Sequence, residues 1–276
     1  MNFKQVGRIS NYTALIIGMI IILIPMYITL STALKTPSQT RVNFFSPPTS
    51  LYFGNFMKII DSSSFWMYVM NSIVITVVSV TLIMVIIPMV SYAISRNANH
   101  KYYFILYAII LAGIFVPFQV IMLPMSKQMA SLDLLNRSGL IIMHMTFAIT
   151  QGTFLCVGFL KSIPLELDEA AKIDGCGVWM TFTKIIYRLM MPILATILIL
   201  KSLFIWNDFF LPLLMLNRGN ELWTLPLYIY NFQTEYSFNY NLSFAGFFMS
   251  MLPILIVYMV CQRFIISGLT EGALKN

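Results

Sequence analysis

The stretch "VMNSIVITVVSVTLIMVIIPMVSYAIS", Val69 to Ser95, indicates the class of fold, because it is long, apolar and free of Asp, Glu, Lys and Arg. A helix needs about 20 mainly apolar residues to cross the hydrocarbon core of a bilayer. The stretch therefore predicts a transmembrane helix. The composition agrees, since 59% of the 276 residues are hydrophobic and 10% are charged, which is too apolar for an ordinary soluble domain.

Comparable apolar stretches recur on both sides of Val69 to Ser95. The sequence predicts an all-α integral membrane protein with a single domain, residues 1–276, and six spans at about 12–34, 69–95, 102–125, 139–160, 192–216 and 243–266. Prolines inside several of these spans are compatible with this interpretation, because neighbouring helices can satisfy the freed backbone groups.

Basic residues between the spans predict the orientation. With the N-terminus in the cytosol, the inside segments carry ten Lys and Arg residues and the outside loops carry six, while Lys201 falls within the fifth predicted span. Positive charge concentrates on the cytoplasmic side of membrane proteins, so both termini are predicted to be cytoplasmic. The net charge of +7 is then explained by topology and anionic lipid, without a nucleic acid partner.

The longest inside loop, residues 161–191, contains "IPLELDEAAKIDGCG", Ile163 to Gly177, with four of the ten acidic residues of the chain. We call the helix predicted here the acidic helix. Ser162 is predicted to cap it, Pro164 to lie in its first turn and Gly175 to end it in a left-handed conformation. An amphipathic helix lying on the membrane surface is the alternative, but such helices favour Lys and Arg on their polar face.

Helical spacing predicts one apolar and small face on this helix. Leu167, Ala170, Ala171 and Asp174 fall at positions i, i+3, i+4 and i+7, which share a face. The alanines would let a second backbone approach closely, and the acids would surround the contact. The sequence therefore favours a docking surface in the cytosol.

The surrounding stretch, "SIPLELDEAAKIDGCGVWMTFTKIIYRLMMP" from Ser162 to Pro192, resembles the EAA loop of permease subunits in binding-protein-dependent ABC importers. The matching positions are Glu169, Ala170, Ala171, Asp174, Gly175, Phe182, Ile185 and Pro192. The segments "FWMYVMNSIVIT", "VPFQVIMLP", "IWNDFFLPLLML" and "GLTEGALKN" are similar to the carbohydrate-importing branch that includes the smaller maltose permease subunit. Two positions differ: Arg188 stands where the family commonly has proline, and Cys176 where it has a small residue such as Ala or Ser.

The resemblance implies the type I ABC importer permease fold in a bacterial cytoplasmic membrane. It also implies a second permease subunit forming a heterodimer, two ATPase subunits that bind ATP and magnesium, and an extracytoplasmic sugar-binding protein. The implied substrate is a di- or oligosaccharide, with polyols and glycerol phosphates as alternatives. The acidic helix would be the coupling helix that contacts the ATPase, through Glu166, Leu167, Glu169, Ala170, Ala171, Asp174 and Gly175.

Two further sites are predicted. The C-terminal tail would leave the membrane on the same side as the acidic helix, so Gly268, Leu269, Thr270 and Gly272 are expected to contact the ATPase, with tight turns at the glycines. Polar groups of the middle spans would line the translocation pathway, and the candidates are Gln119, Gln151, Asn207 and Asp208. Hydrogen bonding between helices is the alternative role for these four.

Catalytic and metal-binding patterns are missing from the sequence. No G-x-x-x-x-G-K-[ST] motif occurs, so a P-loop cannot bind ATP in this chain. The three cysteines and two histidines lack metal-ligand spacing. The chain is therefore predicted to be a permease without its own ATPase site, cofactor or metal. An ion-coupled secondary transporter is the main alternative, although no internal repeat of the kind found in such proteins is visible.

Overall fold

The computed structural model describes residues 3–216, 218–231 and 239–273, with side chains described except at 3–10, 63, 257–258 and 260–273. All regular elements in these ranges are helices, so the prediction of an all-α protein is confirmed. The helices fall into two compact units, Met1–Met67 with Leu225–Pro253, and Tyr68–Thr224 with Ile254–Asn276.

The first unit contains a long apolar helix and a network around a buried lysine. Its helices are Phe3–Ala33, Pro37–Val42, Gly54–Ile60, Leu225–Tyr230 and the first part of Tyr240–Ala273. Lys35 Nζ donates hydrogen bonds to the carbonyl oxygens of Asn43 and Phe44, both at 3.0 Å. Its own carbonyl oxygen accepts from Asn55 Nδ2 and Asn241 Nδ2. Burial lowers the pKa of Lys35, and the network fixes the chain that follows the first helix.

The second unit holds the remaining elements. Its helices are Ser63–Arg96 from Tyr68 onward, Lys101–Ala112, Gly113–Phe115, Phe118–Ser131, Arg137–Leu160, Glu166–Ile173, Val178–Thr181, Phe182–Ile186, Tyr187–Leu189, Met191–Asn207, Phe210–Met215 and Asn220–Leu222. The segment Phe182–Ile186 is a π-helix. Helices Arg137–Leu160 and Ser63–Arg96 approach closely at Gly152, where a Cβ would lie 2.6 Å from Ile87 Cδ1.

Three helices of the described residues are long and apolar enough to cross a membrane: Asn11–Ala33, Ser64–Arg96 and Arg137–Leu160. Two further candidates are bent pairs, Lys101–Phe115 with Phe118–Ser131 at 108°, and Val178–Leu189 with Met191–Asn207 at 74°. Counting each pair as one span gives up to five. The count of six spans therefore stays a prediction.

The predicted spans at 102–125 and 192–216 differ in detail from the structure. The first bends between Phe115 and Phe118, where Pro117 cannot supply a backbone N–H. The second begins at Met191, one residue before the predicted start, and its helix ends at Asn207 because Asp208 adopts an extended conformation. A separate short helix, Phe210–Met215, follows. The break places Asp208 at a helix end, where its side chain can bind backbone N–H groups.

Candidate functional site: the acidic helix and a polar cavity

The acidic helix spans Glu166–Ile173. Its C-terminal end is a Schellman motif: Gly175 N donates to the carbonyl oxygen of Lys172, and Cys176 N donates to that of Ala171. Gly175 has φ +80°, so the predicted left-handed conformation is confirmed. A Cβ there would meet no atom within 4 Å. Any side chain at Gly175 would therefore be strained by backbone conformation and not by crowding.

The prediction for the N-terminal end of this helix is wrong. Leu165 occupies the N-cap position and makes no side-chain cap hydrogen bond. Ser162 Oγ instead donates to the carbonyl oxygen of Phe159 at 2.7 Å, so it bonds to the last turn of the preceding helix. Glu166, Asp168 and Glu169 all lie in the first turn. Their negative charge complements the positive end of the helix dipole without a hydroxyl cap.

The acidic helix has an outward and an inward face. The exposed positions are Glu166, Leu167, Glu169, Ala170, Lys172, Ile173, Asp174 and Gly175. Ala171 is buried, with 2% of its surface exposed, so the prediction that it shares an open face with Leu167, Ala170 and Asp174 is wrong. Of the seven predicted coupling residues, six are accessible to a partner and Ala171 packs within the chain.

Exposed apolar side chains surround the acidic helix. Ile173 is 87% exposed, and Val178 and Trp179 in the next turn are 68% and 64% exposed. Leu165 at the N-cap is also exposed. Large apolar groups next to open carboxylates are typical of a surface that another protein covers. No motif or spacing in the sequence had singled out these four residues.

Asp168 lies on the inward face and binds the helix Ser63–Arg96. Its Oδ2 is 2.8 Å from Arg96 Nη2, and its Oδ1 accepts a hydrogen bond from the Tyr92 hydroxyl at 2.5 Å. The Arg96 and Asp168 side chains are 11% and 14% exposed. These two partners, Tyr92 and Arg96, lie 76 and 72 residues earlier in the chain.

The helix that follows the acidic helix bends although Arg188 replaces the usual proline. The bend of 74° lies between Val178–Leu189 and Met191–Asn207, and Pro192 lies in the first turn of the second helix. Arg188 itself is exposed. The chain therefore bends at this place with Arg188 present.

A cavity of about 460 Å³ in the second unit gathers three of the four predicted pathway residues: Gln119, Asn207 and Asp208. Aromatic and apolar side chains complete its lining: Phe118, Phe147, Phe204, Phe209, Phe210 and Leu211. Gln119 and Asn207 are exposed. Amide and carboxylate groups beside aromatic rings can form hydrogen bonds to a polyhydroxylated ligand and stack against its apolar faces.

Asp208 is held by the backbone and leaves one oxygen without a hydrogen bond. Its Oδ1 accepts from the backbone N–H groups of Phe210 and Leu211 at 3.1 and 3.4 Å. His144 Nδ1 lies 3.8 Å from Asp208 Oδ2, and the two side chains are 1% and 10% exposed. Among the described residues, neither Oδ2 nor the imidazole nitrogens have a hydrogen-bond partner. Sequence reasoning missed the nearness of His144 to the cavity, because 64 residues separate it from Asp208.

Gln151 lies apart from this cavity and has a different partner. Its Oε1 accepts a hydrogen bond from Lys201 Nζ at 2.8 Å. Lys201 also lies 5.8 Å from the centre of the Phe204 ring. This hydrogen bond joins two helices, as the alternative role expects, and the pathway role of Gln151 stays a prediction.

The C-terminal residues differ from the prediction in one respect. The helix Tyr240–Ala273 continues through Gly268, Leu269, Thr270 and Gly272, so the predicted tight turns at the glycines are wrong. The side chains of these four residues lie outside the described part of the structure. Among the described residues, no group of three or more His, Cys, Asp or Glu side chains could hold a metal ion.

Comparison with a family model gives a match over residues 87–270, to the binding-protein-dependent transport system inner membrane component. The matched range includes the acidic helix and the cavity.

Two curated relatives are similar over nearly their whole length. The multiple sugar-binding transport system permease protein MsmG of Streptococcus mutans is 43% identical, with 99% of each chain covered. The probable starch degradation products transport system permease protein AmyC of Thermoanaerobacterium thermosulfurigenes is 34% identical, with 98% of each chain covered. Among solved structures, a bacterial ABC transporter involved in import of the acidic polysaccharide alginate contains a chain with a TM-score of 0.83. That chain is 24% identical, and the match covers 95% of this chain and 98% of that one.

Proposed function

The chain belongs to the family of inner membrane components of binding-protein-dependent transport systems, and from this premise we propose that it is a permease subunit of an ATP-driven sugar importer. It forms half of the translocation pathway, and its substrate is a di- or oligosaccharide. The substrate class is supported by the two relatives, whose names specify multiple sugars and starch degradation products. ATP, with magnesium, is bound and hydrolysed in a separate subunit.

The outward face of the acidic helix is the observation that carries this proposal. Its carboxylates are open to solvent, its last turn is fixed by the left-handed Gly175, and exposed apolar groups such as Ile173 and Trp179 border it. These features suit insertion into a cleft on an ATPase subunit. The contact is made by Glu166, Leu167, Glu169, Ala170, Asp174 and Gly175. Ala171 is buried and packs within the chain.

The polar cavity is the part of the chain that contributes to the pathway. Gln119, Asn207 and Asp208 offer donors and acceptors to sugar hydroxyls, and the phenylalanine rings offer apolar surface for stacking. Asp208 Oδ2 is buried without a hydrogen-bond partner among the described residues. Burying a charged oxygen without a partner is costly, which favours a ligand, water or a partner subunit at this place.

The complete importer contains a second permease forming a heterodimer with this chain, two ATPase subunits and an extracytoplasmic sugar-binding protein. The chain crosses the bacterial cytoplasmic membrane six times with both termini in the cytosol. Its C-terminal residues Gly268, Leu269, Thr270 and Gly272 contact the ATPase as part of a helix. Reporter fusions that place Gly54 on the cytosolic side would contradict this orientation.

Purification from the native membrane tests the proposal. The chain is isolated in mild detergent, its partners are identified by mass spectrometry, and sugars are screened for stimulation of ATP hydrolysis. We expect an ATPase, a second permease and a response to di- or oligosaccharides. A response to polyols or glycerol phosphates alone would contradict the substrate class, and a homo-oligomer that transports ions without an ATPase would contradict the whole proposal.

A further inference from the structure

The contact between the acidic helix and the helix Ser63–Arg96 is the starting point. Two groups on the membrane helix, four residues apart and therefore on the same face, bind opposite oxygens of the Asp168 carboxylate. Arg96 supplies a charge and Tyr92 supplies a hydroxyl donor. The ion pair at one oxygen and the hydroxyl hydrogen bond at the other hold one carboxylate to two groups of the same helix.

Arg96 also contacts the chain just before the acidic helix. Its Nη1 lies 3.4 Å from the carbonyl oxygen of Leu160 and 3.3 Å from that of Ile163. Leu160 is the last residue of helix Arg137–Leu160, whose free carbonyl groups carry partial negative charge. One guanidinium therefore joins the end of a membrane helix to the first turn of the acidic helix.

The segment after the acidic helix contacts the same membrane helix. The ring of Phe182, which is 5% exposed, lies 5.2 Å from the ring of Tyr92. Tyr187 donates a hydrogen bond from its hydroxyl to the carbonyl oxygen of Met84 at 3.2 Å. Helix Ser63–Arg96 thus contacts the chain before, within and after the acidic helix. A displacement of the acidic helix would have to break these contacts or move the membrane helix.

Near its other end, the membrane helix binds a distant part of the chain. Asn71 Nδ2 donates to the carbonyl oxygens of Glu221 and Trp223, both at 2.8 Å. From Tyr92 back to Asn71 the helix rises about 1.5 Å per residue, which amounts to roughly the thickness of the hydrocarbon core. The segment Asn220–Trp223 is therefore linked to the acidic helix through one continuous helix.

We propose that Asp168, Arg96 and Tyr92 are positioning residues that transmit the movement of the acidic helix to the helix Ser63–Arg96, and through Asn71 to the segment Asn220–Trp223. This inference rests on the proposed function, in which an ATPase moves the acidic helix. The ion pair and the hydroxyl bond provide a short connection at the inward face. The outward face remains free to bind the ATPase.

A double-mutant cycle tests the proposal. The complete importer is reconstituted in liposomes, and the coupling ratio, sugar molecules imported per ATP hydrolysed, is measured for wild type, Arg96→Met, Asp168→Leu and the double variant. We expect each single variant to lower the ratio at least fivefold. The double variant should lose no more than the worse single variant, because both changes break one connection. Asn97→Ala is the matched control, since Asn97 directly follows Arg96 and its side chain donates a hydrogen bond to the carbonyl oxygen of Ala93 in the helix just before it, and its ratio should equal that of wild type.

Tyr92→Phe keeps the test decisive if the charge variants fold poorly. It removes only the hydroxyl, so the Phe182 contact and the helix remain, and we expect the coupling ratio to fall about twofold to threefold. Two results would overturn the proposal. One is a double variant whose loss in coupling ratio equals the product of the two single losses. The other is a wild-type coupling ratio in Tyr92→Phe and in those charge variants that assemble. Failure of the proposed function gives a different result, because the wild-type complex would then lack an ATPase.

Discussion

The acidic helix and the polar cavity, which contains Gln119, Asn207 and Asp208, both hold polar groups in an apolar protein. The surroundings of these polar groups differ between the two regions. On the acidic helix, the inward carboxylate of Asp168 has partners within the chain and the outward carboxylates face solvent. At the cavity, Asp208 Oδ2 lies 3.8 Å from His144 Nδ1, and neither atom has a hydrogen-bond partner among the described residues, whereas the ion pair of Asp168 with Arg96 is 2.8 Å long.

This difference indicates two kinds of function. On the acidic helix, the Asp168 carboxylate has an ion pair at 2.8 Å and a hydroxyl hydrogen bond within the chain, while the exposed carboxylates are available to bind a protein. The 3.8 Å between Asp208 Oδ2 and His144 Nδ1 is too long for a hydrogen bond, and a buried polar atom without one costs free energy until it is paired. The first region is expected to respond to changes in the ATPase, and the second to changes in the substrate and the partner permease.

The largest expected effect is a charge reversal on the outward face. Glu169→Lys places a positive charge in the first turn of the acidic helix, which disfavours the helix and removes a docking carboxylate. We expect substrate-stimulated ATP hydrolysis to fall at least tenfold in the reconstituted complex. Asp61→Lys, another exposed carboxylate outside the acidic helix, is the matched control and should keep wild-type activity. Equal activity of the two variants would contradict a docking role for the acidic helix.

A smaller effect is expected from Gly175→Ala. The methyl group meets no neighbour, but φ +80° costs an L-residue about 1–2 kcal/mol, which corresponds to roughly a fivefold to thirtyfold lower population of the competent turn. Stimulated ATP hydrolysis should fall several-fold. Gly177→Ala is a close control, because its Cβ also meets nothing within 4 Å while φ is −71°. Similar losses in both variants would show that the conformation of Gly175 is not the cause.

Labelling of introduced cysteines sharpens the description of the cavity. In a background with Cys156, Cys176 and Cys261 replaced by alanine, single cysteines are placed at 119, 207 and 151. We expect a water-soluble thiol reagent to label positions 119 and 207, because these two positions line the cavity. The labelling rate should change when ATP and sugar are added. Labelling at 151 should not follow the same pattern, since Gln151 contacts Lys201. Protection of 119 and 207 throughout the cycle would exclude them from the pathway.

The smallest effect is expected from removal of the C-terminal end. Deleting residues 268–276 shortens the helix Tyr240–Ala273 and removes the proposed second contact with the ATPase, while the acidic helix remains. Transport should fall about twofold to fivefold with no loss of membrane insertion. Wild-type transport rates would indicate that this end makes no contact with the ATPase.

Local signals explain what the sequence could predict. The apolar stretches and the acidic helix follow from composition and spacing over a few residues, and the left-handed end at Gly175 follows from the lack of a Cβ. The family could also be identified, because its motif is contiguous from Ser162 to Pro192. In each of these cases the information lies within one short segment.

Contacts between distant residues explain what the sequence could not predict. Nothing near Asp168 indicates that its partners are Tyr92 and Arg96, because helix packing alone brings them together. Ser162 has the residue type of a cap but bonds to Phe159 instead, since two helix ends compete for one hydroxyl. Ala171 was assigned to an open face because helical spacing shows which residues share a face but not which face points inward.

Photocrosslinking from the outward face of the acidic helix tests whether this helix contacts the ATPase. A photoreactive amino acid is placed at Ala170, on the exposed face of the acidic helix, and as a control at Val42, which is 87% exposed in the first unit and on the predicted outer side. The account predicts that Ala170 gives an adduct with the ATPase subunit and that Val42 gives none. An ATPase adduct from Val42, or none from Ala170 in the intact complex, would contradict it.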